Sequence, residues 1–122
     1  MKKTLFILLV SILAFSAHAQ FANTKWKATL KPEDPVDAYF TFGTDTLTVT
    51  RVDNGLFVEN MLFTVKDSVL TIQKIVGGSG CETSVVGKYK FTKNDEGIFV
   101  AAISDDCIQR VTLLDKTIWI KQ

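Results

Sequence analysis

The residues with the most chemical potential in this chain lie between Gly77 and Arg110. A Gly77-Gly78-Ser79-Gly80 loop runs into Cys81, followed by Glu82, Thr83 and Ser84. Further on, Asp105-Asp106-Cys107-Ile108-Gln109-Arg110 supplies the second cysteine and one of the two arginines. Two thiols can hold a metal, act as nucleophiles or close a disulfide. Activated nucleophiles and most zinc sites call on histidine, and the only histidine, His18, falls inside the leader predicted below. Without it, Ser-His-Asp and Cys-His catalysis, histidine general bases and histidine zinc sites are all excluded. Two cysteines in an exported chain read instead as a Cys81–Cys107 disulfide. Closing that loop adds roughly 3–4 kcal/mol on the chain-entropy model, a large share of a small domain's stability.

Other constellations are weaker. Asp105-Asp106 could offer carboxylates to calcium, but an oxygen site takes six or more ligands, and a two-aspartate turn is ordinarily only a turn. Glu59 and Glu96 could form an acid/base pair, but nothing in the sequence places them together. Trp26 and Trp119 read as core or barrel-end packing, and the Thr46, Thr48, Thr50 row as a solvated strand face. The chain is therefore expected to be a non-enzyme needing no metal and no cofactor.

The N-terminus sets the compartment. Met1-Lys2-Lys3, an apolar run from Leu5 to Phe15 and Ser16-Ala17-His18-Ala19 match a charged n-region, an h-region and an A-x-A site, so residues 1–19 read as a cleaved signal peptide. The apolar run is shorter than the roughly 20 residues that span a bilayer, so no membrane span is expected in the mature chain. What remains, residues 20–122, is enough for one domain, periplasmic or secreted. Cleavage removes Lys2 and Lys3 and leaves a formal charge of about −1 with the lysines scattered, which argues against nucleic acid and anionic membrane as partners.

The elements that must position the Cys81 loop are strands. Asn23 to Leu30 alternates partly and stops at Lys31-Pro32-Glu33-Asp34-Pro35. Val36 to Phe42 puts Val36, Ala38, Phe40 and Phe42 on one face, and Thr46 to Thr50 repeats the alternation. Asp53-Asn54-Gly55 and Asn94-Asp95-Glu96-Gly97 are turn signals. In the run from Leu56 to Val65, Phe57, Met61, Phe63 and Val65 share a face with Glu59. Either Glu59 points into a polar interior or a bulge near Asn60 shifts the register, and the cost of an unpaired buried carboxylate favours the bulge. Val69 to Ile75 leads into the glycine loop, and Gly87, Tyr89 and Phe91 face inward from the next run. Ile98 to Ile103, Ile108 to Leu114 and Thr117 to Lys121 complete the set as strands. The pattern predicts an all-β, antiparallel up-and-down barrel of about eight strands with one disulfide.

The chain resembles the small bacterial lipocalin-like (calycin-type) barrels on Thr24-Lys25-Trp26 in the first strand, the meander, and a late arginine in Asp106-Cys107-Ile108-Gln109-Arg110. It departs from them in lacking a glycine two residues before the tryptophan. The resemblance implies that Arg110 packs over Trp26 as a cation-π pair at the closed end of the barrel. With Phe40, Phe42, Phe57, Phe63, Tyr89, Phe91 and Phe99 directed inward, an eight-stranded barrel is expected to fill itself and leave little cavity. In size, export and single disulfide the chain is also similar to potempin-type inhibitors of bacterial metallopeptidases.

Two functions follow as expectations. The first is a secreted protein-binding module, most concretely an inhibitor of a secreted protease, with a metallopeptidase favoured, acting through the partner-binding loop Gly78, Ser79, Gly80, Cys81, Glu82, Thr83 and Ser84. A disulfide-held loop lowers the ordering cost of binding. The alternative is a carrier of a small hydrophobic ligand.

Overall fold

The computed structural model describes residues 18–30 and 35–122. The expected leader lies outside the described residues except for its last two positions, and so do residues 31–34 of the expected proline loop. Eight strands alternate in direction: β1 (Lys25–Leu30), β2 (Val36–Phe42), β3 (Thr46–Arg51), β4 (Phe57–Lys66), β5 (Val69–Gly77), β6 (Val86–Lys93), β7 (Ile98–Ser104) and β8 (Thr117–Lys121). A short helix α1 (His18–Phe21) precedes β1, and α2 (Ile108–Leu114) connects β7 to β8. Each strand pairs antiparallel with its neighbour and β8 returns to β1, which closes the barrel and removes both sheet edges.

Alternation builds the interior. Trp26, Ala28 and Leu30 of β1, Ala38, Phe40 and Phe42 of β2, and Leu70 and Ile72 of β5 are buried, while their sequence neighbours are half-buried or exposed. Phe40 stacks on Trp119 with ring centroids 4.4 Å apart, and Phe42 meets Phe63 edge-on at 4.8 Å. Gly87, Tyr89 and Phe91 face inward as expected.

Three expectations are corrected. Ile108 to Leu114 is helical rather than a strand. Its β-branched residues favour a strand, but a strand would turn Thr112 inward with Arg110 and Leu114, whereas Thr112 is exposed and only the two residues four positions apart are buried, as on one face of a helix. Phe99 faces out beside its cross-strand partner Ile118, because Ile98 and Val100 take the inner positions of β7. Phe57, also expected inside, is 53% exposed. The β3–β4 pairing passes from Val49↔Glu59 to Thr50↔Phe57, which leaves Val58 as an extra residue and turns Phe57 outward.

The bulge expected near Asn60 exists, yet it does not turn Glu59 out. The β4–β5 register moves from Asn60↔Val76 to Met61↔Lys74, so the extra residue, Ile75, belongs to β5. Alternation along β4 therefore continues unbroken from Val65 through Met61 to Glu59, and Glu59 is 5% exposed.

Candidate functional site at the loop-bearing end of the barrel

The up-and-down order sends the β3–β4 turn, the 78–85 loop and α2 to one end of the barrel, and α1 and the Gly43, Asp67 and Asn94 turns to the other. At the loop-bearing end, Cys81 and Cys107 form the expected disulfide, with Cα atoms 5.5 Å apart. It ties the β5–β6 loop to the first turn of α2.

Polar contacts hold the same loop along its length. Gly78 N–H donates to Val58 O at 2.9 Å, and Gly80 N–H to Gln109 Oε1 at 2.6 Å. Ser79 Oγ donates to Glu59 Oε2 at 2.6 Å, and Lys74 Nζ donates to Ser79 O at 2.6 Å. Gln73 Nε2 donates to Thr83 O at 2.8 Å. Glu59 is not left alone in the interior, since Lys74 Nζ lies 3.7 Å from its carboxylate. A Cβ on Gly77 would come within 2.6 Å of Glu59 Cα, so only glycine lets β5 pass this close to β4. The loop backbone is thus fixed, while the side chains of Glu82, Thr83 and Ser84 stay exposed.

A second network sits behind α2. Asp105 accepts from Arg110 Nε at 2.6 Å, from Arg110 Nη2 at 2.9 Å and from the Tyr89 hydroxyl. Cys107 N–H donates to Asp105 Oδ1 at 2.9 Å, and Arg110 Nη2 also donates to Val85 O at 3.0 Å. Gly87 makes the room: a Cβ there would lie 2.5 Å from Asp105 Oδ2. Burial opposes charge on Asp105, but the bonds from Arg110 and Tyr89 outweigh it and hold the carboxyl below its usual range. Burial, and then the Asp105 carboxylate, push the Tyr89 hydroxyl well above the ordinary phenol range. One atom is left over: Arg110 Nη1 is buried with no acceptor among the described residues, an omission that costs about 1–3 kcal/mol if nothing fills it.

Arg110 therefore does not pair with Trp26. Trp26 packs against Phe21 at 5.6 Å and donates its indole N–H to Thr24 Oγ1 at 2.8 Å, at the α1 end. Arg110 is carried by α2 at the other end and is held by Asp105, the buried carboxylate nearest to it in the chain. Among the described residues the cation-π contact is Lys25 over Tyr39, 4.0 Å from the ring centroid. Asp105 is committed to Arg110, Asp106 is exposed, and the described residues contain no cluster of three metal-ligating side chains.

Between the two networks lies a pocket of about 50 Å³, lined by Leu30, Phe40, Val49, Glu59, Met61, Ser79, Arg110 and Leu114 among others. Beside the disulfide, Gly80, Glu82, Val85, Asp106 and Ile108 border an open surface cleft of about 340 Å³. The rim around them exposes Leu56, Phe57, Val76, Ile103 and Ile108, the last 78% accessible. Sequence reasoning missed the Asp105–Arg110–Tyr89 network and the inward Glu59–Lys74 pair. The chain carries only part of the signal for the first, since both Asp105 and Asp106 precede Cys107 and nothing in the order of residues chooses between them for Arg110.

Fold and site define a closed, eight-stranded antiparallel barrel with one disulfide, whose loop-bearing end carries its polar networks and exposed apolar rim. No protein-family model, no curated protein and no solved structure matches the chain.

Proposed function

We propose that this chain is an exported, non-catalytic, lipocalin-like binding protein that engages another protein with the barrel end carrying the Cys81 loop, and that its partner is a secreted protease, most concretely a metallopeptidase. The observation that carries this reading is the contrast within residues 78–84. The backbone there is held by a disulfide and by bonds to Val58, Glu59, Lys74, Gln73 and Gln109, while the Glu82, Thr83 and Ser84 side chains are free to meet a partner. A loop ordered before binding loses little entropy on association. The apolar rim supplies the kind of surface that interface cores bury.

A carrier of a small hydrophobic ligand fits less well. Carrier sites run to about 300–1,000 Å³, and the pocket inside this barrel end holds about 50 Å³ because aromatic side chains occupy the interior. The disulfide supports the exported setting, and among the described residues no helix is long and apolar enough to cross a membrane.

The test is inhibition of a panel of secreted metallo-, serine and cysteine proteases by residues 20–122, before and after reduction. Inhibition of one class that weakens at least tenfold on reduction, and that Glu82→Ala with Thr83→Ala abolishes, is the expected result. Inhibition indifferent to both changes removes the loop from the mechanism, and no inhibition of any class removes the protease as partner.

A further inference from the structure

At the barrel end opposite the Cys81 loop, the fold is sealed by a residue that leader removal brings almost to the terminus. Phe21 is the one buried residue of α1, and its ring packs on Trp26, Phe42 and Phe91. The backbone after it is pinned: Asn23 N–H donates to Gly43 O at 3.2 Å, and Thr24 N–H to Phe21 O at 3.1 Å. Cleavage after Ala19, at the Ala17-His18-Ala19 site, takes away His18 with its stacking on Phe63 at 4.8 Å and its bond to Thr44 O at 2.8 Å. It also removes the His18 carbonyl that accepts from Ala22 N–H. Gln20 is then the first residue, and it alone stands between the terminus and the Phe21 seal.

A terminal glutamine can close on its own α-amine. The amine nitrogen attacks Cδ of the side-chain amide, the new N–Cδ bond completes a lactam ring, and the Cδ–Nε2 bond breaks. Nε2 leaves as ammonia with the proton that the amine gives up, so the step needs no oxidant, reductant or co-reactant. The surroundings leave room for it. Gln20 is half-buried rather than enclosed, and it borders an open cleft of about 440 Å³ with Ser68, Lys90, Phe91, Thr92 and Lys93. No carboxylate borders that cleft, so an α-ammonium there adds a third positive charge to those of Lys90 and Lys93. The lactam is neutral. It also offers no amine for an aminopeptidase to grip, at a terminus where trimming would ordinarily begin.

We infer that Gln20 is a modification site: leader cleavage frees its α-amine, and cyclisation to pyroglutamate caps the mature chain and keeps exopeptidases from Phe21. The inference rests on the exported reading above and goes beyond it, since it concerns the barrel end that the Cys81 loop does not touch.

The experiment is intact-mass and fragment-ion spectrometry, with N-terminal sequencing, of the protein exported from its full chain and recovered with the disulfide closed. The expected mass is that of residues 20–122 less one ammonia, with fragment ions placing the loss on Gln20 and the chain refractory to sequencing. A full mass whose sequence begins at Gln20 overturns the modification and leaves the leader reading intact. A chain that begins elsewhere, or that keeps residues 1–19, overturns the leader reading and the site together. Ammonia lost at Asn54-Gly55 instead, where a succinimide can form, also overturns the site.

Gln20→Asn, one methylene too short for a stable ring, is expected to restore a free, sequenceable terminus. A blocked terminus in this variant shows that the cap is not a glutamine lactam and overturns the assignment. Added aminopeptidase should shorten the variant and leave the parent at its mass. Shortening of both, or of neither, removes the protective role. Inhibition is read at the opposite end of the barrel, so a failed protease panel leaves this result standing, and an uncapped terminus leaves the panel standing.

Discussion

The two ends of this barrel are closed by different forces. At the α1 end the closure is aromatic: Phe21, fully buried, lies 4.8 Å from Phe91, 5.1 Å from Phe42 and 5.6 Å from Trp26 by ring centroids. At the loop-bearing end the closure is polar and covalent, made of Asp105–Arg110–Tyr89, Glu59–Lys74–Ser79 and the disulfide. Aromatic packing is strong and tolerant of small shifts in orientation, because it scales with the area removed from water. Buried ion pairs add little net stability, since desolvation offsets their attraction, but each demands a particular geometry. The α1 end therefore gains its stability from packing and the loop-bearing end from its covalent link, while the polar networks there fix a defined surface.

Substitutions at the two ends should separate these roles. The largest stability loss is expected from Phe21→Ala, about 3–5 kcal/mol for emptying a packed aromatic site, which for a domain of this size lowers Tm by more than about 10 °C. Inhibition measured well below that Tm should be unchanged. A loss of less than about 1 kcal/mol would show that α1 covers the barrel without supporting it.

Next in size is the disulfide. Replacing Cys81 and Cys107 with alanine, which opens a loop of sequence separation 26, should cost about 3.5 kcal/mol on the chain-entropy model. Hydrogen exchange should rise between Ser79 and Val85 well before it rises in β1 or β2. Equal loss of protection at both ends would erase the distinction drawn between them.

A smaller effect separates the ends by pH. The folded-state carboxyl of Asp105 lies below its ordinary value through Arg110 and Tyr89, despite burial. A carboxyl depressed on folding contributes stability that is present above its unfolded value, about 3.9, and is lost as pH falls from there through the folded value. Asp105→Asn should cost about 1–3 kcal/mol at neutral pH, where Arg110 loses its counter-charge, and should flatten the acid limb of stability against pH. An acid limb as steep in the variant as in the parent would assign acid sensitivity to other carboxylates. The smallest effect on stability, within about 0.5 kcal/mol, belongs to Glu82→Ala and Thr83→Ala, yet these should remove inhibition. A pair that destabilised the barrel instead would make the exposed loop structural.

The legibility of the molecule follows the same division. The alternation of Trp26, Ala28, Leu30 and of Gly87, Tyr89, Phe91 is a property of single strands, so the barrel could be read from it. The Cys81–Cys107 bond was legible because two cysteines leave one pairing. The helical state of Ile108 to Leu114 was not, because local propensity there points to a strand, and tertiary packing that buries Arg110 and Leu114 while leaving Thr112 exposed overrides it. Arg110 could not be assigned its partner from the chain alone: a family resemblance suggested Trp26, which the closed barrel places at the opposite end.

Composition and order by themselves determined the strand rhythm, the turns at Gly55 and Gly97, the absence of histidine beyond His18, and the covalent link, since each depends on residues near in sequence or on there being one choice. Only the closed barrel decided that Glu59 faces inward to Lys74, that Phe57 faces out, and that Asp105 holds Arg110 while one of its nitrogens stays unspent. Those outcomes turn on which strand carries the extra residue at each register shift and on which groups the closure brings within hydrogen-bond distance. Such distances are set across the sheet, between residues whose separation along the chain says nothing of their separation in space.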